Sequence, residues 1–199
     1  MPVVAVQSLF PTEPAPGEQR LVVPQVAWTT YVVLRDALDH TNLRMTYLEG
    51  TLEIMSPSRQ HEVEKKQIAR LLELFCLERD IPLFGYGSTT WRAEAKARGL
   101  EADECYSRGE RELPEIAIEV IVSHGSVDKL EVYRGLGIRE VWLFEAGACT
   151  MLALRDIGYV RITASEVIPE LDLVRLMHHL AQHDQHAALR TFRDELRGR

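Results

Sequence analysis

The stretch Pro114-Glu115-Ile116-Ala117-Ile118-Glu119-Val120-Ile121-Val122 decides the fold, because it is a nearly continuous apolar run of the length of one strand. Side chains alternate between the two faces of a strand, and Glu119 shares its face with small or apolar neighbours. A buried carboxylate is costly unless a cation or several hydrogen-bond donors compensate its charge. The stretch therefore predicts a buried strand that carries a partnered acid near its centre.

The segments around this strand indicate the architecture. Residues 126–136 predict a helix and residues 139–145 predict another apolar strand, and a right-handed crossover would make the two strands parallel neighbours. Upstream, the alternation over residues 44–55 around Gly50 predicts a hairpin, and residues 59–79 predict a long helix. We therefore expect an α/β fold of the α+β type, with a mixed central β-sheet flanked by helices.

The length of 199 residues suits a single domain. The Pro-rich, polar residues 11–20 indicate an N-terminal extension, residues 1–27, that is partly loose, followed by one domain over residues 28–199 with C-terminal helices from about residue 171. No apolar run approaches the roughly 20 residues of a membrane span, and the N-terminus does not resemble a secretory signal. Three cysteines without a Cys-x-x-Cys pair favour a reducing, cytoplasmic location.

Two further polar residues lie near Glu119 in the predicted fold. Asp103 falls in residues 100–106, which predict the preceding strand, and Lys129 falls one turn into the helix that follows. Two carboxylates suit Mg²⁺ or Mn²⁺, and a lysine can orient the attacking water or stabilise transition-state charge in phosphodiester hydrolysis. The alternative is a structural ion pair between Glu119 and Lys129, with Asp103 as a turn residue.

An ordered series of motifs spans most of the chain. It consists of Gly50-Thr-Leu-Glu-Ile-Met-Ser-Pro57, His61-Glu62, Gly87-Ser-Thr-Thr-Trp91, Gly99-Leu-Glu-Ala-Asp-Glu-Cys-Tyr106, Glu115-Ile-Ala-Ile-Glu-Val120 and Asp128-Lys-Leu-Glu-Val-Tyr-Arg-Gly-Leu-Gly-Ile-Arg-Glu-Val-Trp142. Over about residues 28–155, this series resembles the Uma family of restriction endonuclease-like proteins, within the PD-(D/E)XK nuclease-like superfamily. The resemblance implies a restriction-endonuclease-like core and a divalent-metal phosphodiesterase site that acts on DNA.

Carried over by position, Asp103 resembles the first motif acid, and Ala102 stands where many relatives have proline. Glu119 resembles the second motif acid. Ile121 stands where the superfamily motif has lysine, and Lys129 matches the place to which the lysine has moved in this family. The resemblance thus implies Asp103, Glu119 and Lys129 as catalytic residues, with Mg²⁺ or Mn²⁺ as the cofactor.

Other acids are weaker candidates for the site. The resemblance places His61 and Glu62 at its edge, where Glu62 could be a further metal ligand, although an acid in a first helical turn also complements the helix dipole. Alternation along the hairpin predicts that Glu53 is exposed to solvent, with a role as a second-metal ligand as the alternative.

Three functions stay open at this stage. The first is a metal-dependent endonuclease, expected to be a homodimer because many enzymes that cut both DNA strands pair two active sites. The second is a nuclease-fold interaction or nucleic-acid-binding module without catalysis, which the net charge of −7 and Ile121 favour. The third is ester hydrolysis through Ser126 of a Ser-x-x-Lys motif, but its partner motifs are missing, so Ser126 is predicted to cap its helix instead.

Overall fold

The strands divide between two sheets in the computed structural model, which describes residues 17–123 and 125–198. Along these residues the elements are β1 (Gln19–Val23), α1 (Trp28–Ala37), β2 (Arg44–Leu48), β3 (Thr51–Ser56), α2 (Arg59–Glu78), β4 (Phe84–Gly85), β5 (Thr90–Ala93), a 3-10 helix (Glu94–Lys96), β6 (Arg98–Glu101), β7 (Glu104–Ser107), β8 (Ile116–Ile121), α3 (Lys129–Leu136), β9 (Glu140–Glu145), β10 (Ala148–Arg155), β11 (Gly158–Ile162), α4 (Leu173–Leu180) and α5 (Gln185–Leu196). The predicted α+β class is confirmed.

Sheet A is antiparallel, with the strand order β1-β3-β2-β6-β5. The predicted hairpin is confirmed as β2 and β3, which turn through Glu49 and Gly50. Both turn residues have positive φ, and glycine adopts such a conformation without steric cost. Part of the N-terminal extension also belongs to this sheet, because β1 pairs with β3 from Gln19 opposite Ser56 to Val23 opposite Leu52. The rest of the extension that was expected to be loose, residues 1–16, lies outside the described residues.

Sheet B is mixed, with the strand order β11-β10-β9-β8-β7-β4, and its parallel pair is β8 with β9. Helix α3 connects these two strands, so the predicted parallel crossover is confirmed. The predicted alternation of β8 is confirmed as well. Ile116, Ile118 and Val120 pack in the core beneath α2, whereas Ala117 packs beside α3.

The chain passes from sheet A to sheet B at Ala102 and Asp103. Residues 100–106 were expected to form one strand, but β6 ends at Glu101 in sheet A and β7 begins at Glu104 in sheet B. Helix α3 packs between the sheets, where its Val132 and Tyr133 join a core built from both. Asp103 therefore lies at the point where the two sheets meet.

The start of α3 corrects one expectation. Asp128, rather than Ser126, caps the helix, because its carboxylate accepts the backbone N–H groups of Leu130 and Glu131. Aspartate is as good a cap as serine, and its position directly before Lys129 fixes the first helical residue. No helix in the described part of the chain combines the length and the apolar character needed to cross a bilayer.

Candidate metal centre

Asp103 and Glu119 lie on neighbouring backbone segments at the junction of the sheets. Glu104 of β7 lies opposite Ile118 of β8, so Asp103 comes level with Glu119 just beyond the end of this ladder. The backbone N–H of Val120 donates to Asp103 Oδ2 at 2.8 Å, which ties Asp103 to β8. Both acids are almost completely buried, at 1% and 2% exposure. The structure thus brings together the two carboxylates that the sequence singled out.

Helix α3 supplies two partners to Glu119. Lys129, the first residue of the helix, donates from Nζ to Glu119 Oε2 at 2.6 Å, and the Tyr133 hydroxyl donates to Oε1. Lys129 and Tyr133 lie four residues apart and so share one face of the helix. At 23% exposure, the Lys129 side chain is more accessible than either carboxylate. The sequence predicted Lys129 one turn into this helix, but Lys129 is its first residue, and from there its side chain reaches back to β8 as expected.

The N-terminal turn of α2 supplies the partner of Asp103. Ser58 caps this helix by accepting the backbone N–H of His61, and His61 Nε2 lies 2.8 Å from Asp103 Oδ1. His61 Nδ1 lies 2.7 Å from Glu18 Oε1. The imidazole is buried between two carboxylates, so each ring nitrogen faces an oxygen acceptor. This arrangement fixes the imidazole on both sides.

A second layer of charged groups surrounds the centre. Arg20 of β1 donates to Glu18 Oε2 at 2.8 Å and to Glu53 Oε1 at 2.7 Å. Glu53 is buried, so its predicted exposure is wrong, because the Arg20 side chain and the loop before α3 enclose its carboxylate. The backbone N–H of Ser126 donates to Glu53 Oε2 at 2.6 Å. A Cβ at Gly125 would lie 2.5 Å from Glu53 Oε1, so a larger residue there would displace this carboxylate.

The electrostatics of the centre follow from this crowding. Burial raises the pKa of Glu119 and the charge of Asp103 raises it further, against the lowering by Lys129. Burial alone would raise the pKa of Asp103, but the His61 hydrogen bond and the charges of Lys129 and His61 together hold it below its ordinary value. Burial alone would lower the pKa of Lys129, but Glu119 and Asp103 raise it. Asp103 is thus the more readily ionised acid, and the charge on Glu119 is less favourable.

Glu62 has different neighbours from the acid pair. Its Oε2 pairs with Lys65 Nζ at 2.6 Å, and its Oε1 lies 3.9 Å from Arg44 Nη2. Glu62 and Glu104 both line a polar groove of about 530 Å³. Within residues 17–123 and 125–198, no group of three or more His, Cys, Asp and Glu side chains is placed to hold a metal ion together.

Sequence reasoning missed several members of this site. Glu18 and Arg20 fall in or beside a stretch that composition marks as loose, and Tyr133 looks like an ordinary core aromatic. One available signal was the spacing of Tyr133, four residues after Lys129, which places both on the helix face that meets β8. The roles of Glu18 and Arg20 depend on the pairing of β1 with a distant strand, which has no local signature.

The mixed sheet with its crossover helix and the acid pair at the sheet junction define a restriction-endonuclease-like α+β fold. A sequence model of the Uma2 family, described as "Putative restriction endonuclease", matches residues 28–182, and the chain belongs to this family. The match extends the resemblance beyond residue 155, through β11 and α4. No curated protein gives a significant match to the chain.

Proposed function

We propose that this protein is a divalent-metal-dependent endonuclease that hydrolyses DNA phosphodiester bonds. The observation that carries the proposal is the meeting of Asp103, Glu119 and Lys129, which come from the sheet junction, β8 and α3. Membership of a family described as "Putative restriction endonuclease" supports nuclease chemistry. An acid pair with one lysine is also the group of residues that such chemistry requires.

The residues present fit Mg²⁺ or Mn²⁺, with Asp103 and Glu119 as the ligands. Each of their four carboxylate oxygens accepts one protein hydrogen bond and keeps a further lone pair. Mg²⁺ is commonly held by one or two carboxylates together with waters and substrate phosphate. Burial keeps the pKa of Glu119 raised despite Lys129, so a further cation beside this carboxylate would stabilise its charged form. When bound, the ion would polarise the phosphoryl oxygen and activate a water molecule.

The side chains of the protein divide the remaining tasks. Lys129 holds Glu119 and, as the more exposed group, meets an incoming phosphate, where its positive charge offsets the charge that develops during hydrolysis. His61 and the Val120 N–H keep Asp103 oriented and ionised. The Tyr133 hydroxyl orients the second oxygen of Glu119.

A cleavage assay with matched variants tests the proposal. The wild-type protein should cut plasmid or single-stranded DNA with Mg²⁺ or Mn²⁺ and not with chelator. Asp103→Asn and Glu119→Gln should each lose several kcal/mol of transition-state stabilisation, roughly 10³-fold in rate. Glu115→Gln, at the other end of β8, serves as the control and should cleave normally. Absence of cleavage, or equal cleavage by all of these proteins, would contradict the proposal.

The second candidate is a nuclease-fold module that binds a partner without catalysis. The net charge of −7 and the presence of Ile121 at the usual lysine position favour it. Titration with Mn²⁺ separates the two functions, because the endonuclease should bind the ion through Asp103 and Glu119 and the module should not. Mn²⁺ binding that survives Asp103→Asn combined with Glu119→Gln would place the ion elsewhere on the protein and would contradict these two residues as its ligands.

A homodimer stays a prediction that follows from the proposed cleavage of both DNA strands. Two active sites at a fixed distance would place one cut on each strand. Sedimentation at micromolar concentration should show a species of twice the chain mass of 22.7 kDa. A monomer alone at that concentration would contradict it.

A further inference from the structure

Glu18 lies ten residues before the start of the family match, yet its side chain is completely buried in the candidate metal centre. Its Oε1 contacts His61 Nδ1 at 2.7 Å, and its Oε2 accepts from Ser123 Oγ at 2.7 Å and from Arg20 Nη2 at 2.8 Å. Three partners from three different segments therefore fix one carboxylate. A surface acid would not be held in this way, since solvent-exposed ion pairs are mobile and weak.

His61 transmits this restraint to Asp103. The imidazole is 1% exposed and lies between Glu18 and Asp103, with its backbone N–H bound to Ser58. Rotation of the ring would break the hydrogen bonds at both nitrogens together. Groups that hydrogen-bond to metal ligands orient them and tune their basicity, so an anchored His61 presents Asp103 in one orientation.

The strand β1 in turn anchors Glu18. Five residue pairs fix β1 against β3, and Arg20 bridges Glu18 to Glu53 of that strand. Arg20 also donates to the backbone oxygen of Ser123 at 2.9 Å, which ties β1 to the segment after β8. The position of Glu18, directly before β1, is therefore set by the pairing of this strand with β3.

We propose that Glu18 is a positioning residue of the metal centre, acting through His61 on Asp103. This inference rests on the proposed function, because it assigns Asp103 as a metal ligand. The partners that the described part of the chain gives Glu18 are His61, Ser123 and Arg20, and of these His61 is the one that also contacts Asp103. The effect of Glu18 on Asp103 therefore passes through the imidazole. The N-terminal segment outside the matched family region thereby becomes part of the working site.

The experiment measures the Mn²⁺ dissociation constant of the full chain by calorimetry. Losing a direct partner of a metal ligand usually weakens metal binding roughly 10- to 100-fold, and Glu18→Leu, which removes the support of such a partner, should raise the constant roughly 10-fold. Glu18→Gln keeps an oxygen acceptor for Nδ1–H and should show a smaller rise. Glu115→Leu is the matched control, because Glu115 is also buried and ion-paired, with Arg111 and Arg139, but lies at the far end of β8.

A double variant tests whether Glu18 acts through His61. If it does, Glu18→Leu combined with His61→Leu should bind Mn²⁺ as weakly as His61→Leu alone. Independent effects would multiply, and that result would overturn the proposal. The Mn²⁺ concentration that gives half-maximal DNA cleavage should rise in parallel with the dissociation constant, which a general loss of stability would not produce.

The remaining outcomes separate this inference from the proposed function. Wild-type affinity in Glu18→Leu, or an equal loss in Glu115→Leu, overturns the positioning role while the nuclease proposal stands. Weakened Mn²⁺ binding in Glu18→Leu without any DNA cleavage by the wild type supports the positioning role and overturns the nuclease. A wild-type protein that binds no Mn²⁺ overturns both.

Discussion

Two buried carboxylate sites in or beside sheet B, Glu140 and the candidate metal centre, differ in the groups that offset the unfavourable burial of their charge. Glu140, at the start of β9, is fully buried and accepts four hydrogen bonds from neutral donors. The donors are the indole of Trp142, the hydroxyl of Ser165 and the backbone N–H groups of Glu166 and Val167, at distances of 2.6 to 2.9 Å. Charged hydrogen bonds of this kind are strong, so the Glu140 site is complete without a further ligand.

The candidate metal centre has the opposite composition. Asp103 and Glu119 lie side by side, and their partners include the charged Lys129 and a histidine held by another acid. Burial raises the pKa of Glu119, and the like charge of Asp103 beside it adds to this rise. The difference teaches that burial alone does not mark a functional acid. A functional site is better indicated by two neighbouring buried acids whose negative charges the surrounding protein groups do not fully balance.

Among variants of the residues that surround the acid pair, Lys129→Gln should have the largest effect on activity. The amide can still donate to Glu119, but it carries no positive charge for the phosphate, so cleavage should fall roughly 10²- to 10³-fold. Single-turnover cleavage at saturating Mn²⁺ measures this loss. Lys96→Gln removes a lysine that binds the Gly135 carbonyl, outside the centre, and should leave the rate unchanged. A normal rate in Lys129→Gln would remove lysine from the mechanism.

Glu140→Gln should lower the stability of the protein without changing metal binding, because the Glu140 site is structural. The new NH₂ group of the glutamine would point at hydrogen-bond donors and would leave some of them without an acceptor. The free energy of unfolding should therefore fall by about 1–3 kcal/mol. Urea denaturation measures the change. Mn²⁺ affinity should stay at the wild-type value, and Glu166→Gln, which breaks an exposed pair with Arg155, should change the stability much less. A stable Glu140→Gln protein with altered metal affinity would erase the distinction between the two sites.

The pH dependence of stability gives a smaller contrast. Burial alone would lower the pKa of His61, but Asp103 and Glu18 outweigh it and raise the pKa above 6.5. A raised pKa means that the imidazolium stabilises the fold fully below pH 6.5 and that this contribution is lost as pH rises through the folded-state pKa. In metal-free buffer, the stability advantage of the wild type over His61→Leu should therefore shrink with rising pH. A difference independent of pH would contradict the charged state of His61.

Glu62→Gln should have the smallest effect. Glu62 pairs with Lys65 and faces the groove shared with Glu104, so the Mn²⁺ dissociation constant should change by about twofold or less. The same calorimetry measures it. A tenfold rise in the Mn²⁺ dissociation constant would instead support the predicted role of Glu62 as a further metal ligand. The candidate metal centre would then contain a third acid.

Much of the candidate metal centre could be predicted, because the sequence patterns that indicate it lie within single segments of the chain. The apolar run around Glu119 fixes a buried strand, and strand periodicity places Glu119 on one face. The helix that follows can only return over this strand, which brings Lys129 back to it. Asp103 was found for a similar reason, since it directly precedes β7, the strand that pairs with β8.

The unpredicted parts depend on contacts between distant segments. Residues 98–107 leave sheet A and enter sheet B at Ala102 and Asp103, and neither position holds a glycine or proline that would mark the break. Glu53 alternates as an exposed hairpin residue would, but β1 covers it from more than thirty positions away. Long-range strand pairing is decided by packing and charge across the fold, which single-sequence propensity does not contain.

The edge position of β1 has a practical consequence for handling the protein. A fragment that began at Trp28, where similarity to the family begins, would lose β1 and leave the outer backbone groups of β3 unpaired. Exposed strand edges of this kind recruit other chains and promote aggregation. A fragment for recombinant expression should therefore start before Glu18 and not at the first residue of the family match, residue 28.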